Sequence, residues 1–466
     1  MDSVSKLLKD LLGPKGWITD DCLSWQRDWL DSYGESPLGV ARPKSTQEIQ
    51  DLMKICYKNN IPVVPQGGNT GLVGSGVLGL PGGIIISLSR MNKISSLDYS
   101  SATIVTEPGV VLENLHQYLK DTGLMFPMHL GSQGSAQIGG LIASNAGGSH
   151  AFRYGMMQDL VFGLEVVLAD GSIWNGMRFV QKDNAGYQLR KIFCGSEGTL
   201  GIVTKSVLKL APKPSQKLTA LLAIDNPSNL VMVADILKNE CGEFLSAMEF
   251  FSNIGIQMAT ENIPDLIFPL QSKSRYYFLI ELSSCSKKVP LDSIFSSLIE
   301  SFFNKKLISD GTIATSERQS KALWRLREEQ PEGQKRVGYQ LKHDISVPPG
   351  KLVSFLDKAE DICNDILSDV RINPFGHIGD GNIHYNLSPP LGKSCFLNLD
   401  KNFSLGLSKL ANDMGGSFAA EHGIGRAKLE LTDQLRGDVE RNLMLDIKKS
   451  LDKKNNLNPG AVVSSK

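Results

Sequence analysis

Polar and apolar positions along this chain follow two rhythms. In STQEIQDLMKICYKNN (45–60), Ile49, Leu52, Met53, Cys56 and Tyr57 recur at helical spacing, which predicts a helix with one buried face. Ser45 and Glu48 precede it at capping-box spacing. A second such pattern predicts a helix near 111–123. Short apolar runs at 61–64 (IPVV), 83–88 (GIIISL), 103–107 (TIVTE) and 160–171 (LVFGLEVVLADG) predict strands, the last closed by an Asp170-Gly171 turn. Beyond a Pro/Lys stretch, APKPSQK (211–217), the strands read as LTALLAI, EFLSAMEF, RYYFLIEL, YQLKHDISV and NIHYNL. Helices are predicted at 349–367 and within 396–413. Several of these later strands alternate polar and apolar residues, as a sheet covered on one face would.

The division at APKPSQK reads as a domain linker. It gives an N-terminal helical segment at 1–37, a first domain at 38–214 and a second at 215–466, within an α+β fold. A chain of 466 residues can bury more than one core. Lys+Arg and Asp+Glu both number 49, so the formal charge is zero and the basic footprint of a nucleic-acid binder is missing. No window resembles the roughly 18 apolar residues of a membrane span. Charges at Asp2, Lys6, Lys9 and Asp10 interrupt the apolar core a signal peptide needs. The seven scattered cysteines form no CxxC. A cytoplasmic location is the expectation.

Glycine clusters between Gly67 and Gly201: GGNTGLVGSG, LPGGI, GSQGSAQIGGLIASNAGG and GSEGTLG. Each alone fits a tight turn. Together, and interleaved with Asn69, Thr70, Ser132, Ser135, Ser144 and Asn145, they suit a cradle of backbone N–H groups for a pyrophosphate. The GxGxxG spelling at 74–79 is not a dinucleotide fingerprint, because Pro81-Gly82-Gly83 forbids the helix that should follow it.

These motifs, with RYGMMQDLVFGLEVVLADG between them, resemble the FAD domain of the vanillyl-alcohol-oxidase flavoprotein superfamily. The resemblance implies a two-lobed FAD-binding domain followed by a substrate or cap domain, an antiparallel sheet covered by helices. It implies that Pro65, Gly67, Gly68, Asn69, Thr70 and Gly71 hold FAD on one side and Ser135, Gly139, Gly140, Ser144, Asn145 and Gly148 on the other. Glu197, Gly198 and Ile202 would lie by the adenosine. Relatives that bind flavin covalently carry histidine where Asn69 stands, so the FAD is expected to be non-covalent.

FGHIGDGNIHYNL (375–387) holds two of the seven histidines. His377 and His384 have opposite parity, so an unbroken strand would send them to opposite faces. Gly379, Asp380 and Gly381 permit a bend that lets both rings converge, as a metal site needs. Asn386 shares the face of His384. In AAEHGIG (419–425), Glu421 can complete a two-histidine, one-carboxylate set and His422 can serve as base. Singly, each of these is more commonly a core or turn residue.

GHIGDGNIHYN and AAEHGIG are similar to segments of the FAD-linked D-2-hydroxyacid dehydrogenases. That resemblance implies a divalent metal, zinc or manganese, on His377, His384 and Glu421, with His422 as catalytic base. It implies that Arg327 and Lys342, with Asn386, bind substrate. Members that act on D-2-hydroxyglutarate carry a hydroxyl residue four positions after the arginine, and this chain has Pro331 there, which leaves the diacid open. The implied reaction takes D-2-hydroxyglutarate or a related dicarboxylate to the 2-oxo acid, with hydride passing from C2 to flavin N5. D-lactate or glycolate oxidation is the alternative. A metal-dependent hydrolase or an electron-relaying subunit is the rival from another class. With no second redox centre in the sequence, electrons would go to a separate acceptor such as an electron-transfer flavoprotein or a quinone-linked partner. A homodimer is one expectation for the assembly.

Overall fold

The structure, a computed structural model, describes residues 2–464. It divides into two compact units. The first takes the chain up to Gly148, then Tyr154–Pro212, then everything from Glu421 on; the second takes Ser149–Arg153 and Lys213–Ala420.

In the first unit, helix Thr46–Lys58 is capped by Ser45, whose Oγ accepts the Glu48 N–H at 3.2 Å. Its Ile49, Leu52, Met53 and Cys56 are fully buried in a core shared with Val63, Ile84 and Ile86. Those residues lie on a four-stranded sheet: Trp17–Ile18, Gly39–Ala41, Ile84–Ser87 and Val63–Gln66, in that order, parallel except for the first. The strand expected at 61–64 begins two residues later and continues through Pro65. Ile61 still belongs to the turn, its N–H bonded to Cys56 O, and Pro65 is tolerated because the strand is an edge. Val4, Leu8 and Leu12 of helix Asp2–Leu12 join the same core. A second lobe is a five-stranded antiparallel sheet in the order Ile94–Asp98, Thr103–Thr106, Ile202–Lys209, Val161–Val167, Ile173–Gly176. Helices Leu112–Leu119 and Ile138–Ser144 bury their apolar faces in the core of this lobe.

The last stretch locks into this unit. Leu457 bridges Val63 in parallel, and the buried Lys448 ammonium donates to Thr199 O, Leu457 O and Asp452 Oδ2 at 2.8, 2.6 and 2.6 Å. Every donor of that ammonium therefore has a partner, which offsets its desolvation.

The second unit is built on a seven-stranded antiparallel sheet. Its order is Asp310–Ile313, Gln216–Ile224, Tyr276–Ser284, Leu245–Ser252, Arg371–His377, Asn382–Ser388, Asp344–Ser346. The stretch at 211–217 holds the division between the two units, at Pro212 and Lys213, and carries strand on both sides of it. Ala211–Pro212 pairs with Leu124–Met125, and the next strand already starts at Gln216.

The one-sided sheet expected from alternation is not what forms. Phe250, Phe278 and Ile280 pack into a core with helices Pro227–Cys241, Leu291–Asn304, Leu352–Ile366 and Asp400–Asp413. Phe251, Tyr277 and Leu279 pack on the other face with helices Asn253–Asn262 and Glu317–Glu328. The polar alternates (Glu249, Glu281, Asn373, His377) share that second face but are buried rather than solvated. A polar position in a strand marks solvent or a lined site, and periodicity does not distinguish them.

Candidate active site

The bend between the two histidines is a β-hairpin. Strand Arg371–His377 turns through residues 378–381 into strand Asn382–Ser388. Gly381 takes φ +79°, and a Cβ there would lie 2.0 Å from Val347 O, so only glycine fits. Asp380 accepts the Asn382 N–H at 3.2 Å, the ordinary Asx-turn role. Cross-strand pairing sets Phe375 opposite His384 and His377 opposite Asn382, which places both imidazoles on one face. Their ring centroids are 5.6 Å apart.

Buried carboxylates stand behind both rings. His377 Nδ1 lies 2.5 Å from Glu249 Oε1, and because a carboxylate only accepts, Nδ1 carries the proton of that contact. His384 Nδ1 is 3.8 Å from Asp344 Oδ1, which also accepts from Asn382 Nδ2 at 3.0 Å. The donor set, two imidazoles of which His377 is hydrogen-bonded to a carboxylate and His384 lies near one, suits a divalent metal.

The same face carries the cations. Arg327, near the end of helix Glu317–Glu328, donates from Nε to Glu249 Oε2 at 2.7 Å and stacks its guanidinium over Phe375 at 4.8 Å. The register that pairs Asp344 with His384 and Leu341 with Leu387 puts Lys342 opposite Asn386. Lys342 has no anionic partner among the described residues, and burial, aided by the Lys335 charge, lowers its pKa from 10.5. Asn386 donates from Nδ2 to Gln334 Oε1 at 2.7 Å, within a buried polar group that includes Gln330 and Asn373. Pro331 lies in the first turn of helix Gln330–Val337. Not every histidine is chemical: His343 spans Tyr385 O and Ser404 Oγ at 2.9 and 3.1 Å and is structural.

In the first unit the glycine segments approach one another. A Cβ on Gly68 would lie 2.0 Å from Ser135 O, and one on Gly67 would touch Gly140 Cα at 3.4 Å, so side chains here would fill the gap between the segments. Around Gly71 there is open space. Gly139 packs against Pro108, and Gly198 against Pro65. Such a cradle fits the pyrophosphate of FAD. Three polar side chains in it are already engaged. Asn69 Nδ2 donates to Arg27 O at 2.7 Å, Asn145 Oδ1 accepts the Gln158 N–H at 2.9 Å, and Ser144 Oγ donates to Gly140 O at 3.0 Å. Thr70 lies in the same loop and Ile202 starts a buried strand. The buried Glu197 carboxylate accepts N–H bonds from Ile424 and Gly425, so its side chain anchors the loop after His422. Burial raises its pKa, while those two backbone donors pull the other way.

Glu421 and His422 open the last stretch of the first unit. Glu421 Oε1 accepts the Gly148 N–H at 2.9 Å. The preceding residue, Ala420, ends the second unit and donates its N–H to Asp344 O at 3.3 Å.

Residues 37–176 match the family described as FAD binding domain, and residues 213–462 match FAD linked oxidases, C-terminal domain. The chain belongs to the FAD-linked oxidase family. It is 34% identical over 457 residues to D-2-hydroxyglutarate dehydrogenase, mitochondrial, of Arabidopsis thaliana, covering 98% of this chain and 80% of that protein. It is 35% identical over 448 residues to D-2-hydroxyglutarate–pyruvate transhydrogenase of Saccharomyces cerevisiae, covering 94% and 89%. Among solved structures, p-cresol methylhydroxylase with substrate bound aligns with a TM-score of 0.77 at 18% identity, over 98% of this chain and 96% of that one. The fold is therefore shared with p-cresol methylhydroxylase, and the protein is an FAD-linked D-2-hydroxyacid dehydrogenase.

Within this FAD-linked oxidase, sequence reading missed Glu249, Asp344 and Gln334. The only signal for Glu249 was a lone acid inside the apolar run LSAMEFF. No helix among the described residues is long and apolar enough to cross a membrane. The Arabidopsis relative is named mitochondrial, which differs from the cytoplasmic expectation.

Proposed function

We propose that this flavoenzyme oxidises a D-2-hydroxy acid bearing a second carboxylate, D-2-hydroxyglutarate first, to its 2-oxo acid. The observation that carries this reading is Lys342. It is a half-buried ammonium without an anionic partner among the described residues, opposite Asn386 on the face that also presents Arg327, His377 and His384. A cation drawn part-way out of water without a counter-charge favours an anion beside it, and a substrate carboxylate supplies one. The names of the plant and yeast relatives support the same diacid.

His377, His384 and Glu421 would hold a divalent metal, zinc or manganese, and the glycine segments would hold FAD non-covalently. A metal held there would supply Lewis acidity toward the substrate hydroxyl, and FAD would supply the acceptor for the C2 hydride. The remaining work falls to the chain. Arg327 and Lys342 fix the carboxylate end, Asn386 orients the substrate, and His422 takes the hydroxyl proton. Electrons would leave to an electron-transfer flavoprotein or a quinone-linked partner. The yeast relative's name favours a second 2-oxo acid as an alternative acceptor. For location, fractionation of cells with an antibody to the chain decides between the cytoplasm and the mitochondrion named for the plant relative.

The test is anaerobic mixing of the purified protein with D-2-hydroxyglutarate, D-malate, D-lactate and glycolate. Rapid bleaching of the flavin's visible absorbance by the diacids is expected. Bleaching by D-lactate or glycolate alone would replace this substrate with a monocarboxylate, and a colourless protein would remove the oxidoreductase reading altogether.

A further inference from the structure

One carboxylate connects the two halves of the proposed site. Glu249 lies in the middle of strand Leu245–Ser252, paired directly with His377 on one side and Leu279 on the other, and is completely buried. Its neighbours along the strand, Met248 and Phe250, enter the opposite core. A charged side chain at such a position would be costly unless both oxygens were matched. Both are: Oε1 takes the His377 Nδ1 proton at 2.5 Å and Oε2 takes the Arg327 Nε proton at 2.7 Å.

We propose that Glu249 is a positioning residue that sets the metal ligand and the substrate-binding arginine with a single carboxylate. The proposal rests on the assignment of His377 to a metal and Arg327 to a substrate carboxylate. The atoms chosen are what distinguish it from charge neutralisation. Binding Nδ1 fixes the imidazole tautomer, so that Nε2 is the atom a metal would take. Binding Nε, the guanidinium nitrogen nearest the chain, leaves both terminal nitrogens free for a bidentate grip on a carboxylate. Phe375, lying under the guanidinium and 5.0 Å from the His384 ring centroid, holds the plane of that grip and fixes its distance from the histidines. The spacing between metal and arginine, and hence the length of acid accepted, is set by a rigid strand residue rather than by two independent side chains.

Glu249→Gln tests this because it keeps the shape and removes one acceptor. The amide NH₂ must face either the His377 Nδ1 proton or the Arg327 Nε proton. The ring then reverses its tautomer and protonates Nε2, or the arginine loses its tether. Two constants are read on the FAD-loaded protein: Zn²⁺ affinity in competition with a chromophoric chelator, and KM for D-2-hydroxyglutarate against kcat. Both the Zn²⁺ dissociation constant and KM are expected to rise about 10–100-fold, with flavin content and melting temperature near wild type. Either constant staying within about twofold of wild type overturns the shared role. If Glu249→Gln does not fold, Glu249→Asp keeps the charge but withdraws the carboxylate by a methylene, and the same two readouts and thresholds apply. Wild-type protein that takes up no Zn²⁺ removes the metal assignment and this proposal together. Wild type that binds Zn²⁺ beside an unaffected variant removes only this proposal.

Discussion

Lys342 is the residue whose surroundings make the most specific demand. Burial lowers its pKa from 10.5, with the Lys335 charge adding to the effect. A lysine so shifted loses its proton at a lower pH than an exposed one, and with it the attraction for a carboxylate. KM for D-2-hydroxyglutarate is therefore expected to climb on the alkaline side. Lys342→Met should raise that KM about 10–100-fold near neutrality and abolish the alkaline climb, since a hydrogen bond to a charged group contributes about 1.5–3 kcal/mol. A pH profile unchanged in the variant would exclude Lys342. Pro331 poses the complementary question. It occupies the first helical turn, where a missing N–H has no cost, yet it offers no donor to a substrate. Pro331→Thr supplies a hydroxyl there and is expected to lower KM for the same diacid about 3–10-fold, as one neutral hydrogen bond would. An unchanged or higher KM would place this turn away from the carboxylate.

At the scale of elements, the polar face of the second sheet also carries stability. Glu281, in strand Tyr276–Ser284, is nearly buried. Burial works against its charge, but His150, Lys217 and Ser246 outweigh it and pull the carboxyl from 4.5 down to about 2. A depressed carboxyl contributes stability that is complete above its unfolded value and is lost as pH falls through the folded one. The wild-type melting temperature should thus fall steeply between those two values. Glu281→Gln should flatten that fall and cost on the order of 3 kcal/mol at neutral pH. An equally steep acid limb in the variant would assign the loss to other groups. The strand containing Glu281 was legible in RYYFLIEL, as were the helix at 46–58 and the strand after the hairpin, because each keeps one period over its length. Strand Arg371–His377 was not, since Pro374 and Gly376 break the apolar run and its pairing comes from Glu249 and the hairpin. YQLKHDISV yielded only Asp344–Ser346 as strand, with Leu341 joined to Leu387 by an isolated bridge before it. The histidines could be found from type and spacing. The carboxylates behind them could not, because their role lies in cross-strand register, which a one-dimensional pattern does not contain.

Over the whole molecule, the chemistry is distributed by chain topology. The flavin-type glycine segments belong to the first unit and both histidines to the second, while the proposed third ligand and base stand where the chain re-enters the first. Flavin retention and metal binding should therefore separate experimentally. Exhaustive chelation is expected to reduce turnover about 10²–10⁴-fold, leaving FAD stoichiometry and the visible spectrum unchanged, and Zn²⁺ or Mn²⁺ should restore it. His422→Ala should lose activity by a similar factor, the usual contribution of a general base, while keeping both FAD and metal. The two losses differ in one respect: added metal rescues the chelated protein and not the variant. A verified metal-free protein with full turnover would return His377 and His384 to the status of hairpin residues. A fully active His422→Ala enzyme would move the base elsewhere. Loss of FAD on chelation would mean that the histidines hold the flavin unit together rather than orient the substrate.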